Sequence, residues 1–272
     1  MDTKTDTNTT QVSKAFSKQS EVFDELYQEN KLSEYLRNKF RKEVTSHLKP
    51  GSALLELNCG TGLDAVFFAE RGHRVLATDN AAGMLKQLEQ KIAAKKMNGQ
   101  IETLRCSFHD LHLIKDKKFN HILSNFGGLN CTDRLDLILR QFSSLLKPGG
   151  KVTLMVMPKI CPWELIMTFK GKFRTAFRRF KKETPAHIEG VEFSCYYYNP
   201  SYIKNALRQE FEVLGLQGVF ITVPPEFYHN FVERYPKLFR LLSKIDSAIC
   251  RFFPFTYCCD HYLITLQKKN NP

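Results

Sequence analysis

Leu54-Leu55-Glu56-Leu57-Asn58-Cys59-Gly60-Thr61-Gly62 is the stretch on which the reading of this chain turns. A short apolar run, Ala53–Leu57, carries an acid near its end and breaks into a glycine turn. The apolar positions Ala65, Val66, Phe67, Phe68 and Ala69 then read as a helix that stops at Gly72. A strand, tight turn and helix in this order let the backbone approach a ligand and present unpaired amides at the helix start. A second strand, His73–Thr78, delivers Asp79, an acid suited to the two hydroxyls of a ribose.

The same alternation continues outward. Met84, Leu85, Leu88 and Ile92 mark one face of a helix over 84–97, Ile101–Cys106 and Phe119–Ser124 read as strands, and Arg134–Leu146 as a helix. Lys147-Pro148-Gly149-Gly150 closes that helix, and Val152–Met157 is a fifth strand. Apolar strands separated by helices predict a parallel sheet of the α/β class, covered on both faces. Before this core, residues 1–12 read as a frayed, Thr-rich end and 14–47 as helix with a break near Asn30. After it, 159–198 is aromatic and basic without a βα unit. Helices are expected over 200–210 and 236–253, with strands over 211–223 and 261–267 that pair antiparallel at the sheet edge.

The 272 residues hold 43% hydrophobic and 25% charged side chains, a composition that excludes disordered, collagen-like and coiled-coil chains. The net charge of +12 raises a nucleic-acid or membrane-surface reading. Its placement is local: Lys170, Lys172, Arg174, Arg178, Arg179, Lys181 and Lys182 stand together without an acid. Phe169, Phe173, Ala176, Phe177 and Phe180 recur among them at steps of three and four, so an amphipathic basic helix is expected over 168–182. Such a helix lies peripherally at a membrane surface, forms a lid whose phenylalanines pack on the core, or contacts an anionic partner. The 8 cysteines show no CxxC spacing, and residues 1–11 lack a signal-peptide pattern. Free thiols and a reducing, cytoplasmic setting are expected, with no metal site.

Three nucleotide readings compete for the turn. A GxxxxGK[ST] phosphate loop is absent. A dinucleotide fingerprint would need glycines where Asn58 and Leu63 stand. The third is S-adenosylmethionine (SAM), with a cationic amino group and a ribose. Residues 54–85 resemble the signature of class I SAM-dependent methyltransferases, whose strand-one acid, glycine loop and ribose acid match Glu56, Gly60, Gly62 and Asp79. Ser124-Asn125-Phe126-Gly127 resembles their segment after strand four. The chain is similar, broadly, to methyltransferase type 11 and ubiquinone/menaquinone-like enzymes. This resemblance implies a Rossmann-like, doubly wound, mostly parallel seven-stranded sheet with an antiparallel last strand and helical, aromatic cap inserts.

On that resemblance the chain divides into a helical cap (1–47), a SAM-binding core (48–157), a cap insert (158–198), a core continuation (199–223), a second insert (224–258) and a last strand and tail (259–272). The implied cofactor set is Glu56, Asn58, Gly60, Gly62, Asp79, Asn80, Met84, Ser107, Phe108, His109 and Asn125, with S-adenosylhomocysteine (SAH) as product. Asn58 departs from the usual first glycine, but Asn tolerates positive φ. Ser107 replaces the acid that many members place near the adenine.

His187 and His109 are the candidate bases, and for each a structural role stays open. His229 and His261 read as structural. Phe193 and Tyr196–Tyr198 in one insert, and Phe227, Tyr228, Phe231 and Tyr235 in the other, are expected to bury an apolar or aromatic small molecule, or to pack with each other. Methyl transfer to oxygen of such an acceptor is the leading expectation. A nucleic-acid methyltransferase is the alternative enzyme, disfavoured because Asn125-Phe126-Gly127-Gly128 lacks the [DN]PP[YFW] pattern, and a non-catalytic SAM-binding protein is the alternative outside enzymes.

Overall fold

The computed structural model describes residues 3–270. Its strands are β1 (Ala53–Leu57), β2 (Arg74–Asp79), β3 (Ile101–Arg105), β4 (Phe119–Ser124), β5 (Leu146–Val156), β6 (Thr184–Ile188), β7 (Val191–Cys195), β8 (Phe211–Val219) and β9 (His261–Lys268). Seven of them make one sheet in the order β3-β2-β1-β4-β5-β9-β8, and β6 and β7 form a separate antiparallel hairpin. β3 through β5 are parallel neighbours, with Leu55 opposite both Leu76 and Ile122, and Ile122 opposite Val152. β9 runs antiparallel between β5 and β8, where Ile264 faces Leu154 on one side and Leu216 on the other. The doubly wound, mostly parallel sheet expected from the sequence is therefore present.

Alternation along each strand sends side chains to two apolar layers. Leu55, Leu57, Ile122, Leu154 and Ile264 enter one layer with Ile138, Leu139 and Phe142 of a helix over Leu135–Leu145. Leu54, Leu123, Met155 and Leu263 enter the other, beneath Leu36, Phe40, Phe68 and Leu88. The helices before and around this core are α1 (Thr3–Gln19), α2 (Phe23–Gln28), α3 (Lys31–Thr45), α4 (Leu63–Ala69), α5 (Ala82–Lys95) and α6 (Leu135–Leu145). The later ones are α7 (Pro162–Leu165), α8 (Phe173–Ala176), α9 (Pro200–Leu207), α10 (Phe231–Arg234) and α11 (Pro236–Ile249).

Several expectations change. The N-terminal segment expected to fray is helical from Thr3, with Met1 and Asp2 outside the described residues. Tertiary partners hold it: the Asn8 amide donates to Cys131 O at 2.8 Å and accepts from Ser194 N at 2.7 Å, and Phe16 packs on Phe193. The helical stretch up to His47 breaks at residues 20–22 as well as at Asn30, whose side chain accepts from Leu32 N and caps α3. β5 starts at Leu146, through the Pro-Gly-Gly stretch, because Phe119 pairs with Leu146 across a bulge. The hairpin of β6 and β7 lies in the region without a βα unit.

The amphipathic helix over 168–182 is not formed. The segment is a series of single turns, 166–170, 173–176 and 178–180, broken where Gly171 takes φ +69°. Its phenylalanines do not pack on the core: Phe169 is 92% exposed and Phe173 59%. Arg179, by contrast, is buried. Of the three arrangements considered for this segment, the lid with inward phenylalanines does not form.

Candidate functional site

A cleft of ≈ 140 Å³ opens where β1, β2 and β4 end and α1 and α2 cross above them. Asn58 (φ +46°), Gly60 (φ +56°) and Gly62 (φ +76°) all use left-handed backbone to turn the chain from β1 into α4. Asn58 tolerates that conformation and also puts its side chain to use, as its amide donates to Asn125 O at 3.0 Å and accepts from Ser124 Oγ at 2.6 Å. The turn after β1 is thereby tied to the turn after β4. A Cβ on Gly128 would stand 2.4 Å from the Asn58 amide, which explains the glycine there. Gly62 is a packing residue: a Cβ would lie 2.2 Å from Leu88 Cδ1, and Gly62 is absent from the cleft wall.

Three acids meet at the floor. Glu56 is buried, and its Oε2 has no hydrogen-bond partner among the described residues. Burial, with the nearby Asp64 charge, pushes its pKa well above the usual carboxylate range, against the pull of Arg37 and Arg41. Asp64 is also buried but fully paired, with Arg37 Nη1 and Arg41 Nε each at 2.6 Å and Asn125 Nδ2 at 2.8 Å. Burial alone would raise its pKa, yet the two guanidiniums overcome that and hold it low. Asp79 accepts from Gly60 N at 2.9 Å and Ala81 N at 2.8 Å, and burial still raises it.

The expected cofactor residues mostly converge. Glu56, Asn58, Gly60, Asp79, Asn80, Met84, Ser107, Phe108 and Asn125 all line the cleft, whereas Gly62 and His109 do not. Asn125 is committed on both sides, since its Oδ1 accepts from Phe126 N while its Nδ2 holds Asp64. His187 lies on β6, 62% exposed, with Nε2 3.1 Å from Glu192 Oε2, so the structure brings neither candidate base to the cleft wall.

The aromatic wall is also different from the one expected. It comes from Phe16, Phe23, Tyr27, Phe108 and Phe126. Phe23 stacks on Tyr27 at 4.4 Å, Tyr27 meets Phe126 edge-on at 5.1 Å, and the Arg37 guanidinium lies 4.4 Å from the Phe126 centroid. Burial and the neighbouring Glu226 raise the Tyr27 pKa, so the phenol stays protonated. Tyr196 and Tyr198 instead pack in the core and bond to Glu183 and Thr132. Arg37, Arg41 and Asp64 escaped sequence reading. The faint signal was two cations four apart on one face of α3, awaiting an acid.

Outside the cleft, Cys161, Glu164 and Asp260 bring a thiol and two carboxylates within 4.8 Å of one another. Both carboxylates are already neutralised: Arg178 pairs with Glu164 at 2.7 Å, and Arg179 bridges Glu164 and Asp260 at 2.7 and 2.5 Å. That donor set is therefore an ion-pair network, completed by His261 Nδ1 at 2.7 Å from Asp260 Oδ2.

Residues 54–150 match the family described as a methyltransferase domain. An uncharacterized protein of Methanocaldococcus jannaschii is 26% identical over 241 residues, covering 84% of this chain and 88% of that protein. A demethylmenaquinone methyltransferase of Bacillus mycoides is 25% identical, covering 78% and 94%. Among solved structures, the 1,6-didemethyltoxoflavin-N1-methyltransferase of Burkholderia thailandensis, with bound 1,6-didemethyltoxoflavin and S-adenosylhomocysteine, superposes with a TM-score of 0.57 at 16% identity. That similarity covers 96% of this chain and 88% of the Burkholderia one.

Proposed function

We propose that the chain is a class I SAM-dependent methyltransferase that moves the methyl group of SAM to a small, apolar or aromatic acceptor, with oxygen as the attacked atom. The methyltransferase-domain match over residues 54–150 and the shared fold support this reading. SAM supplies a carbon already activated by its sulfonium, so the protein's task is alignment and exclusion of water. Asp79 is the partner for the ribose hydroxyls, and Gly60 lets the backbone approach. The free Oε2 of Glu56 awaits a cationic amino group, and this orphaned, buried oxygen is the observation that carries the cofactor assignment. Asn80, Met84, Ser107 and Phe108 form the remaining wall on the adenine side. Asn58 and Asn125 hold the two turns and Asp64 in place.

Phe16, Phe23, Tyr27 and Phe126 give the acceptor an apolar surround. With no histidine on the cleft wall among the described residues, the acceptor that fits best is one reactive without a dedicated base, such as a phenol. All 8 cysteines are free thiols, which supports a reducing, cytoplasmic setting.

Calorimetry with SAH tests the cofactor site: Asp79→Ala should weaken binding at least about tenfold, the loss of one charge-assisted hydrogen-bond set, and unchanged affinity would contradict the ribose assignment. Incubation with methyl-labelled SAM and a panel of phenols, alcohols, amines and mixed RNA and DNA tests the acceptor class. Label in the nucleic acid alone would overturn it.

A further inference from the structure

We infer that the face formed by residues 166–182 and 236–253 docks on an anionic lipid bilayer. Ile166, Phe169, Phe173, Phe177 and Phe180 are exposed on the first segment. On the second, Leu238, Leu241 and Ile245 make an exposed stripe along α11, and Phe252 and Phe253 follow, the last 81% exposed. Large apolar side chains gathered in this way on a water-facing surface call for a partner.

The two segments are attached to the same part of the molecule. Arg179 Nη1, from the first, donates to Asp260 O at 2.8 Å just beyond the second, and Ile160 bridges Cys258. Trp163 Nε1 donates to Ile221 O at 3.1 Å, and Asp246 of α11 accepts from Ile221 N at 3.1 Å. Trp163, three residues before the first segment, and Asp246 of the second thus meet the same chain turn around Ile221.

Charge identifies the partner. Lys170, Lys172, Arg174, Lys181 and Lys182 are exposed and pair with no carboxylate among the described residues. Lys237, Arg240, Lys244 and Arg251 extend the basic surface. Within the two segments and at Glu164 the acids are withdrawn: Glu164 is buried against Arg178 and Arg179, and Asp246 is buried on the amides of residues 221 and 222. At the borders, Glu183 is half-buried and accepts from Tyr196 Oη, and Glu233 is exposed but pairs with Lys31 at 3.3 Å. A second copy of this chain would present the same sign and be repelled. A nucleic acid would use the cations but leave the leucine and isoleucine stripe in water. An anionic bilayer satisfies both, with cations at the headgroups and phenylalanines below them. No helix among the described residues is long and apolar enough to cross a membrane, so the contact is peripheral.

Sedimentation of the full chain with vesicles of phosphatidylcholine, with or without phosphatidylglycerol, tests this without cofactor or acceptor, so its outcome is independent of the methyl-transfer reading. The protein should pellet with the anionic vesicles, and added salt should release it. Phe169→Ser with Phe253→Ser should lower the bound fraction on the order of tenfold, and so should Gln at Lys170, Lys172, Lys181 and Lys182 together. Arg178 and Arg179 are left alone because they hold Glu164. All six positions are exposed, and unchanged thermal unfolding verifies that the variants are folded. Protein left in the supernatant with anionic vesicles, serine variants that pellet like the parent, or displacement from vesicles by RNA would each overturn the proposal.

Discussion

Arg179 Nη2 lies 2.5 Å from Asp260 Oδ1, and its Nε donates to Glu164 Oε1 at 2.8 Å, so one buried guanidinium holds two buried carboxylates. These three residues join the turn after β5 to the start of β9. Burial would push the Asp260 pKa up, but Arg179 and His261 overcome it and hold the carboxyl far below its usual range. Arg179→Met should therefore destabilise the protein by about 3–5 kcal/mol, the cost of leaving buried charges unpaired. Urea unfolding checks this, and adding Asp260→Asn with Glu164→Gln should recover part of the loss.

Binding of SAH should release a proton. Burial and the neighbouring Asp64 raise the Glu56 pKa well above the usual carboxylate range, and a cationic amino group beside it favours the ionised form. Affinity should thus rise with pH until the free protein's Glu56 is itself ionised, then level off. Calorimetry in buffers of different ionisation enthalpy reads the released proton directly. Glu56→Gln should abolish the buffer dependence and weaken binding about tenfold or more.

Stability should fall below neutral pH because of His121. Its ring is fully buried with Nε2 2.9 Å from Thr153 Oγ1, and burial, followed by the charges of His47 and Lys151, lowers its pKa to about 3. The unfolded chain, with an ordinary histidine near 6.5, takes up a proton that the folded chain refuses. The folded state is thus unpenalised above about pH 6.5 and loses up to about 1.4 kcal/mol per unit as pH falls toward 3. His121→Gln should flatten the slope of unfolding free energy against pH by about half a proton at about pH 6.5, rising to nearly one at about pH 5.

Gly62→Ala should be costly without touching the cofactor wall. It combines left-handed backbone with a Cβ 2.2 Å from Leu88 Cδ1. A loss of about 1–3 kcal/mol is expected from overpacking, and Gly62→Ala with Leu88→Ala should show a coupling energy of opposite sign in a double-mutant cycle.

The alternation of short apolar strands with helices from Ala53 to Met157 was enough to place β1 to β4 within about a residue, because β1, β2 and β4 are largely buried on both faces and the neighbours of each strand are close in sequence. The edge strand β3, with Glu102 and Arg105 exposed, was placed by its spacing after α5. Glu56, Gly60 and Asp79 were legible for the same reason: each sits at a strand end or in the turn beyond it. The other half of the site comes from distant chain. Phe16, Tyr27, Arg37 and Arg41 reach it from helices whose sequence shows only ordinary amphipathic spacing, and nothing local says which acid they meet. α1 illustrates this limit. Its Thr-rich start has poor intrinsic helix propensity, and contacts with residues more than a hundred positions away decide its state. Over 168–182 the periodicity misled, since Gly171 reverses the chain and Arg179 turns inward to Glu164 and Asp260.

The position of β9 has a bearing on how the chain is made. β8 has one neighbour in the sheet, β9, and β9 also covers the free side of β5, so both wait for residues 261–268. On a ribosome, β1 to β5 can assemble once Val156 has emerged, but the far edge of β5 then stays open while about a hundred further residues are synthesised. At about 5–20 residues per second, that leaves a bare strand edge for on the order of ten seconds. During this interval the apolar segments after residue 160 are also exposed, so a chaperone has the most surface to shield before β9 closes the sheet.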